Sequence, residues 1–129
     1  MKTMTLEEFR AALKAQGVKT HADFAFVCPR CATVQSSRDL IAAGAGADFD
    51  SIEKYLGFSC FGRWTNAGPS RKEPDGNPCN WMLGGLFQLH NLEVVTEDGE
   101  HHPRFDVATP EQAQAHAAKH DQPEEAPAQ

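Results

Sequence analysis

Cys28, Cys31, Cys60 and Cys79 are the only cysteines of a 129-residue chain, and their spacing constrains the fold more than any other feature. The first two stand in Phe26-Val27-Cys28-Pro29-Arg30-Cys31, the form of a knuckle in which a short strand delivers two thiolates into a tight turn. Two intervening residues let both sulfurs reach one ion while the amides of the turn point at them. The other two come singly, in Gly57-Phe58-Ser59-Cys60-Phe61-Gly62 and Gly76-Asn77-Pro78-Cys79-Asn80, so the pattern is zinc ribbon-like but lacks the second CxxC of a standard ribbon. Gly, Pro and Asn beside them suit a chain that turns closely around an ion. The four together predict a tetrahedral structural Zn2+ site with Cys28, Cys31, Cys60 and Cys79 as ligands. Tetrathiolate sites also accept Fe2+, and spacing does not choose between the two.

Other uses of the cysteines make different demands. Structural disulfides belong to secreted chains, yet residues 1–13 alternate charged with apolar side chains and contain no signal-peptide apolar core. No apolar run approaches the length of a membrane span, so a cytoplasmic location is expected, where disulfides rarely persist. A thioredoxin-like pair needs CxxC to open a helix, whereas Cys31 is followed by Ala32-Thr33-Val34-Gln35, which reads as extended. Thiol redox chemistry and unmetallated buried thiols remain the alternatives to zinc. A shell of four thiolates leaves no position for water or substrate, so the ion is expected to be structural. It then supplies folding free energy on the order of 10 kcal/mol.

The length and 40% apolar content support one core, and residues 1–120 read as a single domain with a disordered acidic tail over 121–129. Thr5-Leu6-Glu7-Glu8 is a capping box with Met4 and Phe9 as its staple, and Leu6, Phe9 and Leu13 form the apolar stripe of a helix ended by Gly17. Residues 24–27 predict a strand entering the knuckle. Ser36-Ser37-Arg38-Asp39 repeats the cap logic for a short helix that stops at Gly44 and Gly46, and Asp50-Ser51-Ile52-Glu53 caps a third, stopped by Gly57. Residues 58–64 and 81–89 are rich in aromatic and large apolar side chains, the composition of strands, with Gly84-Gly85 as a bend. Residues 92–96 and 104–107 predict strands around Glu97-Asp98-Gly99-Glu100, a hairpin signal carried by Asp98-Gly99. Thr109-Pro110-Glu111-Gln112 opens a last helix to about Lys119 whose alanines predict weak packing. The expected class is α+β: a small antiparallel sheet from the second half, joined by zinc to the knuckle, with three helices from the first half and a loosely attached fourth.

Charge narrows the partners. Residues 1–92 carry a formal +1 and residues 93–129 carry −7, which together make the net −6. Neither part is an ordinary basic nucleic-acid footprint. Arg63, Trp64, Arg71 and Lys72 border the Gly- and Pro-rich loop 65–78, and such a cluster can bind phosphate while stacking a base, although Trp64 in the core beside the metal is the plainer expectation. Glu97, Asp98 and Glu100 can compete for a basic groove on a partner or simply solubilise the hairpin. His116 and His120 lie at i,i+4 on the last helix, but no HExxH is present and no third ligand is indicated, so they read as exposed. His101-His102-Pro103 and His90-Asn91 suggest a ββα-metal nuclease only superficially, since the paired His fall on a hairpin and no helix delivers the last ligand. No complete catalytic constellation is present.

Residues 5–10, the knuckle with Thr33-Val34-Gln35-Ser36, the run Asp39-Leu40-Ile41-Ala42-Ala43-Gly44-Ala45-Gly46, Lys54-Tyr55-Leu56-Gly57-Phe58-Ser59-Cys60, and Pro78-Cys79-Asn80-Trp81 with Gly84-Gly85-Leu86-Phe87 carry a resemblance. Over residues 4–117 the chain resembles a family of small proteins encoded by proteobacterial phages and prophages. The resemblance implies a setting and assigns no activity, so it contributes no catalytic residues. In that setting the expectation is a non-enzymatic accessory protein in the bacterial cytoplasm that binds a host or phage protein. The alternatives are a nucleic-acid-binding or nuclease protein and a thiol redox protein.

Overall fold

A computed structural model describes residues 2–69, 72–83 and 92–121. Arg71, Gly84-Gly85 with residues 86–89 of the second aromatic stretch, His90-Asn91 and the tail from residue 122 lie outside the described residues. The chain opens with an element not expected from sequence, the strand β1 (Lys2–Thr5). It places Met4, the expected staple residue, beside Val94 in a parallel pairing. α1 (Leu6–Lys14) follows directly, and both bonds of its capping box form: the Thr5 hydroxyl accepts from the Glu8 amide at 3.0 Å and the Glu8 carboxylate accepts from the Thr5 amide at 2.9 Å. The helix ends before Gly17, which adopts φ 73 to turn the chain back toward the core.

β2 (Phe26–Val27) and β3 (Val34–Gln35) pair antiparallel on either side of the knuckle. α2 (Ser37–Ala43) begins as expected, with the Asp39 carboxylate accepting from the Ser36 amide at 2.8 Å, and ends at left-handed Gly44. The third helix starts earlier than its expected Asp50 cap. α3 (Phe49–Ile52) is capped by Asp48, because Asp48 and Ser51 exchange backbone-to-side-chain bonds at 3.0 and 3.2 Å, and it continues as a 3-10 turn at Glu53–Tyr55. The first aromatic stretch is not a strand either. Phe61–Trp64 is a 3-10 helix, and a single bridge joins Ser59 to Met82.

β4 (Leu92–Val95) and β5 (His101–Arg104) form a hairpin around the expected Asp98-Gly99 turn, but its second strand is His101–Arg104 in place of the expected 104–107, because the register pairs Val95 with His101 directly across the turn. The remaining strand, β6 (Asp106–Val107), leaves it and pairs with β2. The described strands therefore build two three-stranded sheets, β1-β4-β5 and β3-β2-β6, where one antiparallel sheet was expected, and the first is mixed. Phe105 explains the split. It lies between β5 and β6, is fully buried, and donates its amide to the Gly57 carbonyl at 2.7 Å, so burial of one large ring carries the chain from one sheet to the next.

The main core joins Phe26, Leu83 and Phe105 to the four cysteines, with Phe9, Leu13, Leu56, Phe58, Trp81 and Val107 packed against it. α4 (Pro110–Asp121) is held more firmly than its alanines suggested. Ala113 is fully buried against Ala25 and Ala108, since small side chains let the helix approach closely. Gln16 does the most unexpected work nearby. Fully buried, its side-chain amide donates to the carbonyls of Ala25 and Ala108 at 2.9 and 3.0 Å and accepts from the Ala25 amide at 3.0 Å, acting as an extra strand partner. Its own carbonyl accepts from Gln114 of α4 at 2.8 Å.

Candidate metal centre

One turn between paired strands and two irregular segments bring the four sulfurs together. β2 ends at the knuckle, where Cys28 and Thr33 bond across the turn at 3.1 Å and Ala32 takes the left-handed conformation, φ 66, in place of the extended one expected there. That single residue reverses the chain within five positions, so Cys28 and Cys31 face the same way. Cys60 precedes the 3-10 helix, and Cys79 follows the loop 65–78. The two segments meet at Gly62, where a Cβ would lie 2.3 Å from the Cys79 carbonyl oxygen, so only glycine permits this approach. The loop is tied down at the same place, Gly76 donating to the Cys31 carbonyl at 2.7 Å and Asn80 to the Gly68 carbonyl at 2.8 Å.

All four cysteines are fully buried, none is in a disulfide, and the four Sγ atoms lie within 4.8 Å of one another. Cys28 and Cys79 are 3.9 Å apart, as are Cys31 and Cys60. An ion with metal–sulfur bonds of about 2.3 Å sets tetrahedral sulfurs about 3.8 Å apart, and the Cys28–Cys79 and Cys31–Cys60 pairs match that spacing. Polar donors surround the sulfurs. Cys60 Sγ accepts from Gln35 Nε2 and from the Cys79 amide, each at 3.4 Å, and the Thr33 hydroxyl lies 3.0 Å from Cys31 Sγ. Gln35 is fixed in turn, its carbonyl oxygen accepting from the Phe61 amide at 3.0 Å. Such donors stabilise anionic sulfur and orient it toward a cation.

The ionisation of the cluster is uneven. Hydrogen bonding with Cys31 and Cys60, then burial, raises the Cys28 thiol far above its ordinary value. Cys31 is lowered, chiefly because the Cys28 and Cys60 thiols stabilise its anion. Burial pushes Cys79 up to about 11 against the lowering effect of the Trp81 amide. Cys28 and Cys79 thus resist ionising beside the Cys31 anion, and a divalent cation is the partner that would let them do so.

The expected surface contacts are distributed unevenly. Arg63 is exposed and donates to the Asn80 carbonyl at 3.0 Å, Lys72 is exposed, and Trp64 is half-buried with its ring 4.8 Å from that of Tyr55. Trp64 does not sit beside the cysteines as expected: Trp81 does, stacked on Phe105 at 6.1 Å. Glu97, Asp98 and Glu100 are exposed in the hairpin turn. Asp98 is engaged there, accepting from the Thr96 hydroxyl and from the Glu100 amide, and the Thr96 bond holds its carboxyl below the ordinary range. Glu97 shares the wall of a groove of about 690 Å³ with Arg10 and Lys14.

The histidines on the hairpin do not converge. His101 pairs with Glu93 at 2.8 Å and His102 faces Thr96 at 3.4 Å. Among the described residues the metal-capable groups are the four cysteines and a second set, Asp39 with His116 and His120. The third member that the helix spacing left unnamed is Asp39, supplied by another helix 77 residues earlier. Only its tertiary position reveals it.

Fold and centre define a small α+β protein with a buried four-cysteine cluster able to hold a metal ion. The chain belongs to the VVA0879-like family, whose model matches residues 5–108, a shorter span than the 4–117 expected from sequence. No curated protein and no solved structure matches it. Among the described residues no helix is long and apolar enough to cross a membrane.

Proposed function

We propose that this is a non-enzymatic accessory protein of phage or prophage origin, braced by structural Zn2+ on Cys28, Cys31, Cys60 and Cys79, that binds a host or phage protein in the bacterial cytoplasm. The observation that carries this reading is closure of the cysteine cluster. Four fully buried sulfurs within 4.8 Å of one another supply a complete tetrahedron, which leaves an ion no position for water or substrate. The same burial speaks against thiol redox chemistry, which needs an accessible thiolate.

A closed ion braces loop ends, and a braced loop presents a surface at low entropic cost. The loop 65–78 is tied to the cysteine segments at Gly68 and Gly76, and the turn carrying Glu97 and Glu100 projects from the other sheet. Protein rather than nucleic acid is favoured because Trp64 packs on Tyr55 and Arg63 donates to a backbone carbonyl, which reduces both the stacking face and the free cation.

The test begins with native mass spectrometry of the untagged chain for one zinc, followed by identification of the partner that co-purifies with it in stoichiometric amount. Glu97→Lys with Glu100→Lys, or Arg63→Ala with Lys72→Ala, is expected to abolish that complex while zinc content and melting temperature hold. Substrate turnover by the zinc-loaded chain, or salt-sensitive nucleic-acid binding that Arg63→Ala weakens, overturns the reading.

A further inference from the structure

The last helix carries a second cluster that the cysteine centre does not use. His116 and His120 lie one turn apart on α4, and both direct Nε2 at Asp39 of α2, at 2.6 Å to Oδ2 and 3.2 Å to Oδ1. Their rings stand edge to face, 5.0 Å between centroids. The carboxylate is preset rather than mobile, because Oδ2 also accepts the Ser36 amide that starts α2. Asp39 and His116 are largely covered, each side chain 13% exposed, whereas His120 lies at the exposed edge of the cluster.

We propose that Asp39, His116 and His120 form a second metal site, taking a borderline divalent ion such as Zn2+, Ni2+ or Co2+. The three donor atoms lie within 4.8 Å of one another. An ion with bonds of about 2.0–2.2 Å to nitrogen and oxygen sets its donors a little over 3 Å apart, so the shorter His116 contact opens slightly to admit it. Two imidazoles and a carboxylate are the ligand set that such ions favour over Mg2+ or Ca2+. Three protein ligands leave a position on the exposed His120 side for water, so this ion exchanges with solvent. It joins α4 to α2, and α4 lies beyond the residues that the family model matches.

The full chain, loaded first with one equivalent of Zn2+, is titrated with further Zn2+ by calorimetry. In parallel, the histidine nitrogens are followed by 15N NMR. The expected result is a second equivalent bound, with the Nε2 signals of His116 and His120 alone among the six histidines moving to metal-bound shifts. His116→Ala with His120→Ala weakens that second equivalent by at least about 100-fold, more than loss of a merely supporting group would. Asp39→Asn provides the control for folding, because the amide oxygen still accepts from Ser36 and histidine while binding the cation poorly. Its second equivalent is expected to weaken with circular dichroism unchanged. Absence of a second equivalent at submillimolar Zn2+, or histidine signals that stay in place while it binds, overturns the site.

Discussion

The cysteine cluster and the Asp39–His116–His120 cluster hold similar numbers of donor atoms in similar volumes, yet they differ in almost every property that decides what a metal site does. The cysteines are fully buried, are met by Gln35, Thr33 and backbone amides, and weld three separate stretches of chain into the main core. The second cluster sits on a seam between two helices and is open on the His120 side. Softness and closure at the first favour permanent residence, whereas imidazole, carboxylate and solvent at the second favour exchange.

The strongest way to break this contrast is Cys60→Ser. It removes the sulfur that accepts both Gln35 and the Cys79 amide, and the ion's contribution to folding, on the order of 10 kcal/mol, is lost with it. The variant is expected to bind less than stoichiometric zinc and to lose a dispersed amide NMR spectrum; a native spectrum with full zinc would remove the bracing role.

Gln16→Leu tests the other region. It removes the Gln16 partner of the Ala25 amide and of the Ala108 carbonyl in a dry site, while the Ala25 carbonyl keeps the Ala108 amide; the cost is about 3 kcal/mol, and urea unfolding of the zinc-loaded chain measures it. Zinc stoichiometry is expected to hold, so a loss of zinc would show that the two regions are not separable. Gln35→Leu is the milder probe of the cysteine side, expected to weaken zinc about 10–100-fold by removing a donor to Cys60. Competition with a chromogenic chelator reads that change. Smallest in energy but sharpest for the contrast is a chelator time course: dilute EDTA is expected to strip an ion from His116 and His120 at once while the cysteine-held ion leaves only as the chain unfolds. Simultaneous loss of both would erase the distinction.

The caps of α1 and α2 and the turn of the hairpin were legible in the sequence to the residue. Thr5 with Glu8 and Ser36 with Asp39 form the capping bonds read from their spacing, and Asp98-Gly99 turns the β4–β5 hairpin. These depend on groups three or four positions apart, whose geometry the intervening backbone dictates. Asp48 displaced Asp50 as a cap for the same reason, since either could serve locally and the partner Ser51 favoured the first.

Long-range pairing was legible only where chemistry demanded it. Four thiols in one chain without a secretory pattern ask for a common ion, so Cys60 and Cys79 could be joined to the knuckle before any fold was known. Nothing comparable marks Lys2–Thr5 as a strand beside Leu92–Val95, because a short polar edge strand gains its stability from the partner rather than from its own pattern. Gln16 and Asp39 belong to the same group. A glutamine looks solvent-facing until two carbonyls and an amide surround it, and a helix-capping aspartate acquires two histidines only when α4 packs across α2. The α1 and α2 caps, the hairpin turn and the membership of the sulfur cluster could be read before folding, because near neighbours and the valence of an ion set those bonds. Tertiary structure alone decided the two-sheet split at Phe105 and the second cluster, because those contacts exist only after burial has brought distant segments to one place.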